Sequence, residues 1–120
     1  MAWQFNRREA VFVQIANRLR CEILNGKYLP EEQIPAVRQL AFEAAVNPNT
    51  MQKSLALLEE EGLLYSKGTV GRFVTSDSAI LFTAKERMKK NCVKDLIEQA
   101  KESGIEKDEL IRYIKEADNL

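Results

Sequence analysis

Histidine is absent from all 120 residues. That removes the commonest general base near neutral pH and the commonest metal ligand. The two cysteines, Cys21 and Cys92, have neither zinc-ligand spacing nor a nucleophile motif around them, and no glycine-rich phosphate loop occurs. Carboxylates are plentiful, but they fall on what read as solvated helix faces. No enzymatic activity, metal or cofactor is therefore expected. The distant cysteines read as free thiols in a reducing compartment rather than as a bridge. No apolar run approaches the roughly 18 residues a membrane span requires. Residues 1–8 lack the apolar segment of a signal peptide. A cytoplasmic protein with no membrane partner is the expectation. Net charge is missing too, with 18 basic and 18 acidic side chains. Nine basic and eight acidic residues fall in 1–76, nine and ten in 77–120. Neither part is broadly basic, so any nucleic-acid contact must come from a localised polar and basic face. What is present, 45% hydrophobic and 30% charged residues, is a composition that folds. The length suits one modest core and an appendage.

The informative stretch is residues 35–62. Its first half predicts a helix from about Ala36 to Ala44, with Val37, Leu40, Ala41 and Ala44 on one face. A second helix has a strong start signal. Asn47 suits the N-cap, Pro48 the first helical position, and Val46 and Met51 a hydrophobic staple. Gly62 suits a left-handed C-terminal residue. On this second helix Met51, Leu55 and Leu58 form an apolar stripe. Asn49, Gln52 and Lys53 lie away from it in the first two turns, and Glu59, Glu60 and Glu61 crowd the far end. Such a helix is suited to presenting its N-terminal half to a polyanion, where the helix dipole also favours phosphate. Asn and Gln can form bidentate bonds to adenine in the major groove, the geometry of a helix-turn-helix recognition helix.

The runs Ile34-Pro35-Ala36-Val37-Arg38-Gln39-Leu40-Ala41, Val46-Asn47-Pro48-Asn49-Thr50-Met51-Gln52-Lys53 and Leu58-Glu59-Glu60-Glu61-Gly62-Leu63 resemble the winged helix-turn-helix of the GntR family of bacterial transcription regulators. Phe12-Val13-Gln14-Ile15, in a helix predicted over 9–25, matches the aromatic-x-Gln-Ile pattern of the family's first helix. Ala10 stands where the family often has proline, Glu31 where it usually has glycine, and Ala36 where it usually has serine. The serine could bond a phosphate; alanine cannot. The resemblance implies that Arg38, opposite the buried face of its helix, contacts DNA. Residues 63–75 predict a β-hairpin directly after the recognition helix, hence a wing. Lys67 and Arg72 flank its tip beside Gly68. Gly68 and Gly71 are separated by two residues, where family wings often have one.

Residues 3–6 alternate in the manner of a short edge strand. Beyond Ser76 glycine and proline nearly vanish. Helices are predicted over 79–103 and 107–118, with a stop at Ser103-Gly104-Ile105. Leu96, Ile97, Leu110, Ile111 and Ile114 are apolar positions of this tail. It is too short for an effector domain with its own pocket. The economical cover for its apolar stripes is a second copy. That is similar to the small YtrA-type subfamily, whose short C-terminal helices serve dimerisation.

The expected architecture is mostly α with a hairpin wing: a winged helix-turn-helix over 1–76 and a two-helix dimerisation segment over 77–120. The expected function is a sequence-specific transcription regulator, a repressor by resemblance, binding an inverted-repeat operator in double-stranded DNA as a homodimer. Arg38, Asn47, Asn49, Thr50, Gln52, Lys53, Lys67, Gly68 and Arg72 are the candidate DNA contacts. A winged-helix module that binds protein instead would need an apolar patch where Asn49, Gln52 and Lys53 stand. No residue pattern points to a small-molecule effector.

Overall fold

The computed structural model describes residues 2–119. The order is α1 (Val11–Leu24), α2 (Val37–Ala44), α3 (Pro48–Glu60), β1 (Leu64–Lys67), β2 (Gly71–Val74), α4 (Ser78–Glu102) and α5 (Lys107–Lys115), with a 3₁₀ turn at Ala117–Asn119. A first compact unit ends at Ala84 and a second begins at Lys85.

In the first unit, α1, α2 and α3 enclose a core of Ile15, Ala16, Leu19, Leu40, Ala41, Ala44, Met51, Leu55 and Leu58, closed by Leu63, Leu64 and Val74 of the hairpin. The apolar positions of each helix recur at three- and four-residue intervals, so each helix turns one stripe inward. Ser54 is the buried polar residue of α3. Its hydroxyl lies 2.8 Å from the Phe12 carbonyl, to which it donates, tying α3 to the start of α1. At the other end of α3 the Arg20 guanidinium grips Glu61 with two bonds, of 2.8 and 2.5 Å.

β1 and β2 pair antiparallel, with Leu64 opposite Val74 and Lys67 opposite Gly71. A third extended segment joins the outer edge of β2. Glu31 N–H donates to Val74 O (2.8 Å), Val74 N–H to Glu32 O (3.0 Å) and Ile34 N–H to Arg72 O (3.0 Å). Gln33 bridges Phe73 in the same register. The hairpin is thereby joined to the strand that leads into α2.

Four helices end in the same way. After α1, α2, α3 and α4 a left-handed residue lets two N–H groups fold back onto the last turn, as Gly104 and Ile105 do to Lys101 and Ala100 at 3.0 and 2.8 Å. Three of the left-handed residues are glycine. The fourth, at the turn between α2 and α3, is Ala45 at φ +58°. Glu31, where the family usually has glycine, sits at φ +69°. Both carry a Cβ in a region that disfavours one.

Some boundaries differ from expectation. Residues 3–6 form no strand. The main chain of Asn6 is taken by the Gln14 side chain, which accepts its N–H at 3.0 Å and donates to its carbonyl at 2.9 Å. Trp3 lies instead under the Arg18 guanidinium, 4.0 Å from the ring centre. α1 starts at Val11, not residue 9, because Gln14 also claims the Glu9 carbonyl at 2.9 Å and Ala10 remains extended. α5 stops at Lys115, where the chain tightens into the 3₁₀ turn.

The second unit contains the later turns of α4 and all of α5. Asp77, upstream, caps α4 by accepting from Ala79 and Ile80 N–H at 3.0 and 3.2 Å. α5 opens with a reciprocal capping box between Glu106 and Glu109. Ala100 is buried, whereas α5 buries no side chain in the single chain.

Candidate nucleic-acid interface

α3 carries the surface of interest, and its start is built from Asn47. The Asn47 side-chain oxygen accepts the Asn49 N–H at 2.7 Å, and its main-chain carbonyl accepts from Thr50 and Met51 at 3.0 and 3.1 Å. Pro48 has no N–H to offer. The first-turn donors are therefore occupied. Attraction for a phosphate at this end comes from the helix dipole and from side chains, not from bare backbone donors.

Asn49, Gln52 and Lys53 are exposed, Thr50 is half-buried, and Met51, Ser54, Leu55 and Leu58 are buried. One face of the first two turns is thus amide and cation while the other is core. Lys53 is steered: its ammonium lies 4.1 Å from the centre of the Phe12 ring, so a half-buried aromatic of α1 holds the amine of α3. Arg38 of α2 is exposed, and no ion pair among the described residues involves it. Its guanidinium is available to an outside anion.

The acidic end of α3 is turned to internal use. Glu61 holds Arg20, and Glu59 accepts from Ser66 at 2.9 Å and pairs with Arg72. Arg72, expected as a wing contact, has a partner within the chain. Its side chain is only 16% exposed, and its Nε binds the hairpin to α3 through Glu59. Lys67 remains exposed, its amine 4.7 Å from the Phe73 ring centre. Gly68 turns at φ +49° and Val70 N–H closes the tip onto Lys67 O at 2.9 Å. Thr69 and Val70 are exposed there. Beneath the hairpin, Tyr65 donates its hydroxyl to Glu31. That bond, with help from the Ser76 hydroxyl, holds the Glu31 carboxyl below its ordinary range and raises the Tyr65 phenol.

Sequence reasoning missed two supports of this surface. The sequence shows Glu59 only as part of an acidic helix end and gives no role to Gln33, whose amide donates to Val70 O at 2.8 Å. Neither lies in a local pattern. Their partners are reached only through the folded hairpin.

The arrangement is a helix-turn-helix with a wing. The family model for bacterial regulatory proteins of the gntR family matches residues 12–74. The chain belongs to the GntR family. It is similar to the HTH-type transcriptional repressor YtrA of Bacillus subtilis (strain 168), 32% identical over 107 residues, 88% of this chain and 82% of that protein. A GntR family transcriptional regulator from Listeria monocytogenes has the same fold, with TM-score 0.81 and 28% identity over 93% of this chain and 98% of that one. The DNA-binding domain of AraR, solved in complex with operator ORX1, aligns with TM-score 0.54 and 28% identity over 60% of this chain and 93% of that one. The protein is a GntR-family transcription regulator with a helical segment after its winged domain. No helix among the described residues is long and apolar enough to cross a membrane.

Proposed function

We propose that this regulator is a cytoplasmic repressor that binds an inverted-repeat operator as a homodimer, with residues 1–76 reading DNA and 77–120 pairing the two copies. The observation that carries the DNA reading is the first two turns of α3. There the exposed side chains are Asn49, Gln52 and Lys53, over a core-facing stripe of Met51, Leu55 and Leu58. Gln52 and Asn49 are the base-reading candidates. Arg38, Lys53 and Lys67 are the phosphate contacts, while Asn47 and Thr50 shape the helix start and Gly68 shapes the wing tip. The AraR domain bound to its operator and the repressor YtrA are relatives of this chain, which supports the same use here.

Pairing is supported by the tail. Val93, Leu96, Ile111 and Ile114 are exposed on the single chain. Charge is segregated along it as well. Residues 85–94 hold five basic side chains and one acidic, whereas 95–118 hold eight acidic and four basic. Parallel pairing would oppose like charges, and a two-fold antiparallel arrangement opposes unlike ones.

The test is selection of bound fragments from random duplex DNA, followed by two variants. Gln52→Ala should lower discrimination between the selected and random duplexes by about 1–3 kcal/mol. Arg38→Ala should weaken both and reduce the salt slope by about one unit. Binding that selects no sequence and is flat in salt would overturn the reading in favour of a protein-binding winged helix.

A further inference from the structure

The wing tip is held by a residue outside the hairpin. Gln33 lies in the extended segment between α1 and α2, two residues before Pro35. Its side-chain amide crosses to the tip and donates to Val70 O at 2.8 Å. Gly71, next to Val70, has φ +139°, and a Cβ there would lie 2.6 Å from Gln33 Nε2. The bare backbone at Gly71 is what allows the amide so close. The main chain on both sides is paired, with Gln33 bridging Phe73 and Ile34 N–H donating to Arg72 O at 3.0 Å. The Gln33 side chain is therefore aimed by ladder bonds and reaches the one turn carbonyl beyond their end.

Resting on the DNA-binding reading above, we propose that Gln33 is a positioning residue for the wing. It joins the tip to the strand that enters α2, so that Lys67 and Thr69 reach DNA in one fixed relation to Arg38. Without it the hairpin stays paired through Lys67 and Gly71, but the residues between them lose their only side-chain tether from the helix-turn-helix among the described residues. A wandering tip must be ordered on binding, and that ordering subtracts from affinity. The two-residue spacing between Gly68 and Gly71 leaves Val70 to supply the carbonyl that Gln33 holds.

Two readouts on the full chain test this. In the free protein, ¹⁵N relaxation should show faster, larger motion at residues 68–71 in Gln33→Ala, with α1 and α3 unchanged. On a duplex selected by the wild-type protein from random DNA, Gln33→Ala should weaken binding roughly three- to tenfold, the loss expected for one hydrogen bond. In a background where Lys67 and Thr69 are already alanine it should cost nothing more. Gly71→Ala should evict the amide and loosen the tip likewise, and adding Gln33→Ala to it should do no further harm. Unchanged tip motion in Gln33→Ala overturns the tether. An equal affinity loss with and without Lys67 and Thr69 overturns the positioning role and leaves a stabilising bond only. A wild-type chain that selects no duplex sinks the DNA reading itself, while the relaxation result still decides whether the tether exists.

Discussion

The winged unit and the tail are built from similar helices and reach opposite outcomes. α3 has 13 residues and buries Met51, Ser54, Leu55 and Leu58; α4 has 25 and buries Ala100 alone. The difference is not hydrophobicity of single positions, since the tail carries Val93, Leu96, Ile97, Leu110, Ile111 and Ile114. It lies in the number of neighbours. Three helices and a hairpin surround one point, so every stripe finds another stripe. Two helices by themselves leave Val93, Leu96, Ile111 and Ile114 exposed on the single chain. Apolar surface of that size, left in water, is what association removes.

The sharpest way to break the comparison is to make the same kind of cut in both regions. Leu55→Ala removes a fully buried side chain and should cost about 2–5 kcal/mol in denaturant unfolding. Ile114→Ala, at an exposed position, should leave unfolding of the isolated chain within about 0.5 kcal/mol yet shift sedimentation from dimer toward monomer. If Ile114→Ala destabilises the monomer as Leu55→Ala does, the tail is covered by its own chain and the contrast fails.

A smaller effect sharpens the contrast within the winged unit. Ala45 occupies the left-handed turn that glycine occupies after α1, α3 and α4. Relief of the left-handed conformation is worth roughly 1–2 kcal/mol, offset by about 0.4–1 kcal/mol of added unfolded-chain entropy for glycine. Ala45→Gly should therefore raise the unfolding midpoint slightly. A fall would show that the Ala45 methyl contributes packing that outweighs its strain.

The smallest effect concerns the Tyr65–Glu31 bond. The Glu31 carboxyl is held below its ordinary value of 4.5, first by the Tyr65 hydroxyl. A depressed carboxyl contributes stability that is complete above the unfolded value and is lost as pH falls through the folded one. Tyr65→Phe should lower the unfolding midpoint slightly at neutral pH and flatten its decline below about pH 4.5, the two proteins converging in acid. An identical acid limb in both proteins would show that Glu31 contributes nothing there.

Local patterns reached far in this chain. The spacing of Val37, Leu40, Ala41 and Ala44, the Asn47-Pro48 start and the Gly62 stop each act within a turn of themselves, so α2 and α3 were legible to within a residue or so. Asn49, Gln52 and Lys53 were legible as a face for the same reason. The N-terminal strand was misread because alternation cannot show that Gln14, eight residues on, would take the Asn6 main chain. The Arg72 ion pair is not legible in the sequence because its partner Glu59 lies on another element.

The sequence by itself determined that the five helices form, the Asn47 cap of α3, the glycine stops, the hairpin and the polar face of α3, because propensity, capping and periodicity are properties of neighbours along the chain. Only the tertiary structure decided which charges are free. Arg38 has no partner in any ion pair among the described residues, Arg72 is paired with Glu59, Lys53 is held over Phe12, and Gln33 is anchored to Val70. An ion pair or a hydrogen bond depends on distances of a few ångströms between residues far apart in sequence. Those distances exist only once the core has brought the elements together.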